Sequence, residues 1–349
     1  ATPVALAAGL NKAARNHILI RDTSALEQMR NVDVVVFDKT GTLTEGHPTV
    51  IGWLWAQGQE EHYKDVLLAA ESTSDHPLAE AIVTALEGEE QVIPAHLDGF
   101  ENITGKGVRV AYQGAEYWVG SHKLLKDYQA NLSDILADML TQYESDGNSI
   151  VYFGRENDLL AVIAIKDQLR VTSMEAIREL RTQDIEICML TGDGERTASS
   201  VAGSLGIMRF MADAMPDDKE DFIHKLQLQG KTVAMVGDGV NDAQALSCAD
   251  VSIAMGKGTD TLMDTAMITL RTSDLLLLPK VFRLSRQTVS LMYRNLFWAF
   301  IYNTVGIFVA AGVLYPVYDI LLSPALAGAA MALSCVSVAL SSLRLSSRF

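Results

Sequence analysis

The sequence predicts an α/β protein: a doubly wound parallel sheet, interrupted by an inserted α+β domain and followed by a C-terminal transmembrane helical hairpin. Three patterns carry that prediction. Apolar runs of strand length at 32–37, 185–190, 232–236 and 251–255 alternate with helical patterns at 172–181, 196–205, 217–228 and 242–249. Residues 47–165 break the alternation, with helical patterns at 60–73 and 77–86 and strand-like runs at 108–112, 116–119, 150–153 and 159–165. Finally, 297–315 and 320–343 are almost wholly apolar.

From the start of the chain, residues 4–10 read as an apolar helix fragment with no initiator Met and no signal peptide before it, as expected of a chain cut from within a larger protein. The run Val34-Val35-Val36-Phe37 then ends on Asp38, and Lys39-Thr40-Gly41-Thr42-Leu43-Thr44 follows at once. In a parallel sheet such an aspartate stands at the carboxyl end of a buried strand, where ligands bind. Turn amides and hydroxyls there can cradle a phosphate. A carboxylate so placed can attack a phosphoryl group and form an aspartyl-phosphate. The plainer reading is a strand ending on a helix-capping Asp. Two residues on, Thr40 cannot take up a proton at neutral pH. A phosphoenzyme formed at Asp38 should therefore persist until another group positions water.

Three further motifs fall at expected strand ends. Thr191-Gly192-Asp193 offers a hydroxyl and a backbone amide for phosphoryl oxygens, or a helix N-cap. Lys219, in Met215-Pro216-Asp217-Asp218-Lys219, sits on the first turn of a helix. There it can neutralise a phosphoryl group, or be a solvated surface lysine. Gly237-Asp238-Gly239-Val240-Asn241-Asp242 sets Asp238 among glycines that allow backbone and ligand to approach closely. Mg²⁺ takes hard oxygen ligands, commonly one or two carboxylates with phosphate and water. Asp38, Asp238 and the Thr40 carbonyl can supply that set, while Asn241 and Asp242 hold the loop. In the insert, His76 precedes Pro77 five residues after Glu71, and Gly105-Lys106-Gly107 pairs two glycines. Alone, His76 reads equally well as a capping or packing residue.

In content and order, DKTGT, TGD, Lys219 and GDGVND resemble the phosphorylation signature of P-type ATPases, a branch of the haloacid dehalogenase superfamily. Glu71 with the SxxHP element at His76, and Gly105 with Gly107, resemble the nucleotide-binding domain of the heavy-metal branch. The resemblance covers essentially the whole chain. It implies Asp38 as the phosphorylated residue, with Lys39, Thr40, Thr191, Gly192, Asp193, Lys219, Asn241 and Asp242 around it. It implies Mg²⁺ at Asp38, Thr40 and Asp238, and ATP with its adenine oriented by Glu71 and His76 beside Gly105 and Gly107. The implied domains are 1–29, the end of a transmembrane helix and its cytoplasmic extension; 30–46 with 166–280, a phosphorylation domain of haloacid-dehalogenase type; 47–165, a nucleotide-binding domain; and 281–349, a linker helix and two transmembrane helices. Phosphatases of the superfamily usually carry a second Asp where Thr40 stands. Other departures are Ser121 for a pocket Asn, Gln244 for Pro, and Phe308 for Pro. The family's actuator domain is not seen.

Composition fits this picture. The formal charge is −15, with no basic stripe, which argues against nucleic acid as a partner. Three scattered cysteines form no CxxC pair, so neither a disulfide framework nor a structural zinc site is expected. The two apolar runs are long enough for a bilayer, since about 19 residues at 1.5 Å each span roughly 28 Å. Lys280, Arg283, Arg286 and Arg294 lie before the pair and Arg344 and Arg348 after it, with none in the short connection. Both ends are then cytoplasmic.

Inside those runs Tyr302, Asn303, Met331, Ser334 and Cys335 are the informative groups, because no Asp, Glu or Lys accompanies them. Thioether and thiol ligands suit soft ions such as Cu⁺, although Tyr, Asn and Ser also join helices by hydrogen bonds. YN followed by MxxSS, with Cys335 for the second Ser, resembles the copper(I)-exporting branch. The resemblance implies export of Cu⁺ from a bacterial inner membrane, with catalytic domains in the cytoplasm and a cytosolic metal chaperone as a partner. The alternatives are Zn²⁺/Cd²⁺ transport, a membrane-anchored phosphatase, and a nucleotide-binding regulatory module without catalysis.

Overall fold

Strands that are almost wholly apolar must be covered on both faces, and the central strands of the first sheet are of this kind. The computed structural model describes residues 2–56, 60–74, 76–89, 92–130, 134–238, 242–256 and 266–311, with 328, 332, 336–338 and 341 beyond them. The chain opens with α1 (Thr2–Arg15), β1 (Ile18–Ile20), α2 (Ser24–Met29) and β2 (Val34–Asp38). It then crosses to a second sheet: β3 (Thr49–Trp55), α3 (Glu60–Glu71), α4 (Pro77–Glu87), β4 (Gly99–Ile103), β5 (Gly107–Tyr112), β6 (Ala115–Gly120), α5 (His122–Asp127), α6 (Asp134–Ser145), β7 (Ser149–Arg155) and β8 (Asp158–Lys166). On return it forms α7 (Ser173–Arg181), β9 (Glu186–Leu190), α8 (Glu195–Leu205), β10 (Arg209–Met211), α9 (Pro216–Leu228), β11 (Val233–Gly237), α10 (Ala243–Cys248), β12 (Val251–Met255), β13 (Ile268–Leu270) and α11 (Leu277–Ala310).

The first sheet runs in the order β1-β13-β12-β11-β2-β9-β10, parallel except for β1. Side chains alternate across it. Val35, Phe37, Met189 and Val236 face a core shared with α7, α8 and α11. Val34, Val36, Leu190 and Met235 face Phe222, Ile223 and Leu226 of α9 and Leu246 of α10. Strand order reverses at β2: the chain adds β9 and β10 on one side and β11, β12 and β13 on the other. The carboxyl end of β2 is therefore a topological switch point, where a crevice opens between diverging connections.

The second sheet is antiparallel, ordered β3-β8-β7-β6-β5-β4. Val66, Leu67, Ile82 and Leu86 of α3 and α4 cover one face, and Leu124 and Leu140 of α5 and α6 pack on the other around Trp118. The sequence reading lacked β3, β4, α5 and α6. Every β4 residue but the last is exposed, so it lies at an edge without the apolar alternation that marks a strand. The two crossings between the sheets are tied together. Thr44 bridges Leu169, and Asp167 accepts from the Thr44 hydroxyl and from the Gly46 amide at 3.1 Å.

The expected C-terminal hairpin is not confirmed among the described residues. Helix α11 has 34 residues, about 51 Å at 1.5 Å each. Its first half is buried against α1, α2 and α7, and Gly9 of α1 lets Thr288 approach so closely that a Cβ there would meet its hydroxyl at 2.6 Å. Only the second half exposes Phe297, Phe300, Ile307 and Phe308. The apolar part described, 297–310, reaches roughly 21 Å, short of the ~30 Å hydrocarbon core. Among the described residues no helix is long and apolar enough to cross a membrane. The second expected span, 320–343, lies almost wholly outside the described residues.

Gly107 has φ +144°, and a Cβ would stand 2.1 Å from the Val119 carbonyl oxygen, which is backbone and cannot yield. Gly107→Ala should lower stability by about 2–4 kcal/mol. Gly114→Ala, at φ +76° with open space around it, should cost only about 1–2 kcal/mol. Urea unfolding followed by tryptophan fluorescence measures both, and equal costs would contradict the backbone-clash account.

Candidate active site

Register brings the motif residues to one edge. Val236 of β11 pairs with Phe37, and Leu190 of β9 pairs with Asp38. Asp238, Asp38 and Thr191 therefore leave three adjacent parallel strands at the same end. Asp38 is 6% exposed. Lys219 reaches it from the first turn of α9, with Nζ 2.6 Å from Asp38 Oδ1 and 2.6 Å from Asp242 Oδ1. All three side chains are buried, so the ammonium is the counter-charge that lets two carboxylates share a dry site.

The charges respond accordingly. Burial works against the Lys219 ammonium, but Asp38 and Asp242 more than offset it and hold its pKa above the ordinary lysine value. Burial, then the neighbouring Asp38 charge, push the Asp242 carboxyl up to about 7, with Lys219 acting in the opposite direction. Its second oxygen, Oδ2, is buried without a hydrogen-bond partner among the described residues.

A second cluster adjoins the first. Lys39, 3% exposed, pairs with Asp193 and donates to Ser149 Oγ at 3.0 Å. The Thr191 hydroxyl donates to Asp193 Oδ2 at 2.9 Å and accepts from the Asp193 amide at 3.1 Å. Burial would raise the Asp193 carboxyl, but Lys39 outweighs it and holds the pKa below the usual carboxylate value. Gly192 is exposed beside this pair.

Between the clusters runs the turn 39–43. Thr40 is half-buried in extended backbone (φ −73°, ψ 129°), and Gly41 takes the left-handed region at φ +70°. A Cβ on Gly41 would lie 2.3 Å from Asp238 Oδ2, so only glycine lets that carboxylate close over the turn. Arg170 grips the turn from beneath, donating to the Thr42 carbonyl at 2.9 Å and the Gly41 carbonyl at 2.5 Å. The Thr42 hydroxyl is buried without a partner.

The second sheet brings its residues to the same crevice. His76 caps α4, its Nδ1 accepting from the Leu78 amide at 3.2 Å. The ring keeps some exposed surface, yet surrounding protein pulls its pKa below the ordinary value, and it feels the charges of Asp193, Lys39, Asp38 and Lys219. Gly105, at φ +67°, lies against Met215 just ahead of α9, where a Cβ would meet the sulfur at 2.6 Å. Glu71 ends α3 almost fully buried, and burial pushes its carboxyl up to about 8. The Ser121 hydroxyl, next to Gly120, is buried and unpartnered.

Some predicted residues are not brought in. Asn241 and the ion-site residues Met331 and Ser334 lie outside the described residues. Tyr302 and Asn303 are exposed on α11. Tyr302 instead lines a cavity of about 170 Å³ with Trp298, Ser337 and Ser341. Conversely, sequence reasoning missed Ser149, Asp167 and Arg170. The available signal was positional, since a polar D-x-x-R where the chain re-enters the first sheet is placed to brace the turn where it left.

Residues 32–250 match the haloacid dehalogenase-like hydrolase family, and the chain belongs to it. Over 99% of its length the chain is 42% identical to a copper-exporting P-type ATPase of Legionella pneumophila, covering 47% of that protein. It is 43% identical to a silver exporting P-type ATPase of Salmonella typhimurium, covering 42% of it. The chain thus spans about half the length, or less, of these curated relatives. A crystal structure of a zinc-transporting PIB-type ATPase in the E2.Pi state superposes with a TM-score of 0.67 at 35% identity, over 99% of this chain and 55% of that one.

Two outcomes follow from these charges. Lys219→Ala leaves Asp38 and Asp242 facing each other and should cost about 3–5 kcal/mol. The cost should be smaller at pH 6 than at pH 8, because Asp242 can then take a proton; denaturant midpoints that shift equally at both pH values would contradict this. Glu71 is protonated in the fold up to about pH 8 but titrates near 4.5 when unfolded. Its contribution is fully present below pH 4.5 and is lost as pH rises through 8. Glu71→Gln should therefore flatten the decline in thermal stability between pH 5 and 8, and an unchanged slope would contradict the buried neutral carboxyl.

Proposed function

We propose that this chain carries the phosphorylation and nucleotide-binding machinery of an ATP-driven heavy-metal exporter, with Cu⁺ as its ion. The observation that carries the reading is the Lys219-paired, buried Asp38 at the switch point of a parallel sheet, followed by Thr40 where an acid would make a phosphatase. In the proposed step an Asp38 oxygen bonds to the γ-phosphorus of ATP as the bond to the β–γ bridging oxygen breaks, and that electron pair leaves with ADP. Lys219 and the Thr191 hydroxyl stabilise charge on the phosphoryl oxygens, and Lys39 with Asp193 fixes the floor of the turn. Without an acid at Thr40, no side chain of the turn readily activates water. The phosphoenzyme then lasts long enough to bias a membrane element between two arrangements.

The residues present fit Mg²⁺: Asp38, Asp238 and the Thr40 carbonyl are hard oxygen donors, Gly41 lets Asp238 close over the turn, and carboxylates outnumber the ammonium groups. When bound there, Mg²⁺ supplies charge neutralisation to the phosphoryl oxygens. ATP would enter from the second sheet. A neutral Glu71 offers one donor and one acceptor, the complement of adenine's ring nitrogen and amino group, and His76 lies near enough to the turn to feel the charges of Asp38 and Lys39. Gly105 and Gly107 leave backbone exposed to the nucleotide, and the unpartnered Ser121 hydroxyl takes up the role of the family's Asn.

Copper is supported by the names of the relatives and by apolar runs that carry Tyr302, Asn303, Met331, Ser334 and Cys335 without Asp, Glu or Lys. A bacterial inner membrane as the location and a cytosolic metal chaperone as the donor of the ion belong to the same proposal. Incubation with γ-labelled ATP should give acid-stable phosphate incorporation that Asp38→Asn removes. Labelling that persists in Asp38→Asn would overturn the reading, and nucleotide binding without any labelling of the unmutated chain would favour a non-catalytic module.

A further inference from the structure

Away from the phosphorylation crevice, Glu220 and His224 of α9 and Cys248 at the end of α10 bring one carboxylate oxygen, one imidazole nitrogen and one sulfur within 4.8 Å of one another. They are one turn apart on a single helix face and one residue on its neighbour, so two packed helices converge on the site.

The imidazole is set up by its surroundings. The Gln227 amide nitrogen donates to the Cys248 carbonyl at 2.9 Å and to Asp250 Oδ2 at 3.2 Å. With its nitrogen so committed, the amide turns its oxygen to His224 Nδ1, 3.1 Å away. That oxygen can only accept, so Nδ1 carries the proton and Nε2 of the neutral ring presents its lone pair. This is the arrangement that orients metal-ligating histidines. Nε2 faces Glu220 Oε1 at 3.4 Å. At 3.4 Å the two lone-pair donors are spaced so that a cation could bridge them. Around a tetrahedral ion with bonds of about 2.1 Å, adjacent donors stand about 3.4 Å apart.

We propose that Glu220, His224 and Cys248 bind a divalent ion of borderline softness, Zn²⁺ in type, with water in the fourth position. The mixed oxygen, nitrogen and sulfur set suits Zn²⁺ better than a hard or a fully soft ion. His224 and Glu220 are half-exposed on the solvent side, so a water can complete the shell. Binding would expel the thiol proton, against the burial and the Glu220 contact that now hold the Cys248 pKa up. The ion would staple α9 to α10. Those are the helices whose first turns deliver Lys219, directly before Glu220, and Asp242 to Asp38.

Co²⁺ titration of the chelator-treated chain tests the assignment. One equivalent should give a thiolate-to-metal charge-transfer band with intense tetrahedral ligand-field absorption, and Zn²⁺ should displace it. Cys248→Ser, a near-isosteric change at a partly exposed site, should abolish the charge-transfer band, and His224→Ala should weaken Zn²⁺ binding at least tenfold. Cys188→Ala, at the buried free thiol of β9, should leave both unchanged. A weak octahedral Co²⁺ spectrum, or a charge-transfer band that survives Cys248→Ser, would overturn the proposal and leave a protonated His224–Glu220 ion pair as the account of the cluster.

Discussion

The rest of the site depends on one ammonium group. Lys219 stands 2.6 Å from both Asp38 and Asp242, and all three are nearly dry. Two carboxylates cannot remain ionised together in such a place without a cation between them. The same contact is mechanical. It ties the first turn of α9, the end of β2 and the entry to α10 into one unit, so Asp38 is held from two sides of the switch point. The residual tension falls on Asp242, the most deeply buried of the three, whose carboxyl is raised and whose second oxygen goes unpartnered.

Around that pair the turn 39–43 is held rigidly. Arg170 binds two of its carbonyls, Thr44 and Asp167 close its exit, and Gly41 takes a conformation that only glycine adopts without strain. Asp167 and Arg170 belong to the segment by which the chain returns from the second sheet. Any rotation of that sheet about its two crossings therefore pulls on the residues that shape the crevice around Asp38. Ser149 and His76 bring the second sheet to Lys39 and its neighbours directly. The proposed coupling between nucleotide and acceptor needs no longer path than this.

Much of the architecture was legible because buried parallel strands write continuous apolar runs, and β2, β9, β11 and β12 do so. Asp38, Thr191 and Asp238 were identifiable because polar residues right after such runs have few other reasons to be there, whereas Lys219, on the first turn of a helix, stood out only by its place in the order of motifs. What escaped was written in a different code. β4 and β3 lie at the edges of an antiparallel sheet, where exposure dilutes the alternation. Arg170 and Ser149 act through contacts more than 100 positions away in sequence. The pairing of Lys39 with Asp193 is a tertiary contact that neither motif alone announces. The apolar run at 297–315 predicted a separate span, yet its part up to Ala310 continues the helix that begins at Leu277, whose first half packs on the first sheet.

The central claim is that Asp38 itself becomes phosphorylated. Borohydride reduces an aspartyl-phosphate to homoserine, so the chain can be trapped after brief exposure to ATP and Mg²⁺ and its peptides weighed. The account predicts homoserine at position 38 and unmodified Asp193, Asp238 and Asp242. Homoserine at one of those positions, or none anywhere while ATP is being hydrolysed, would contradict it.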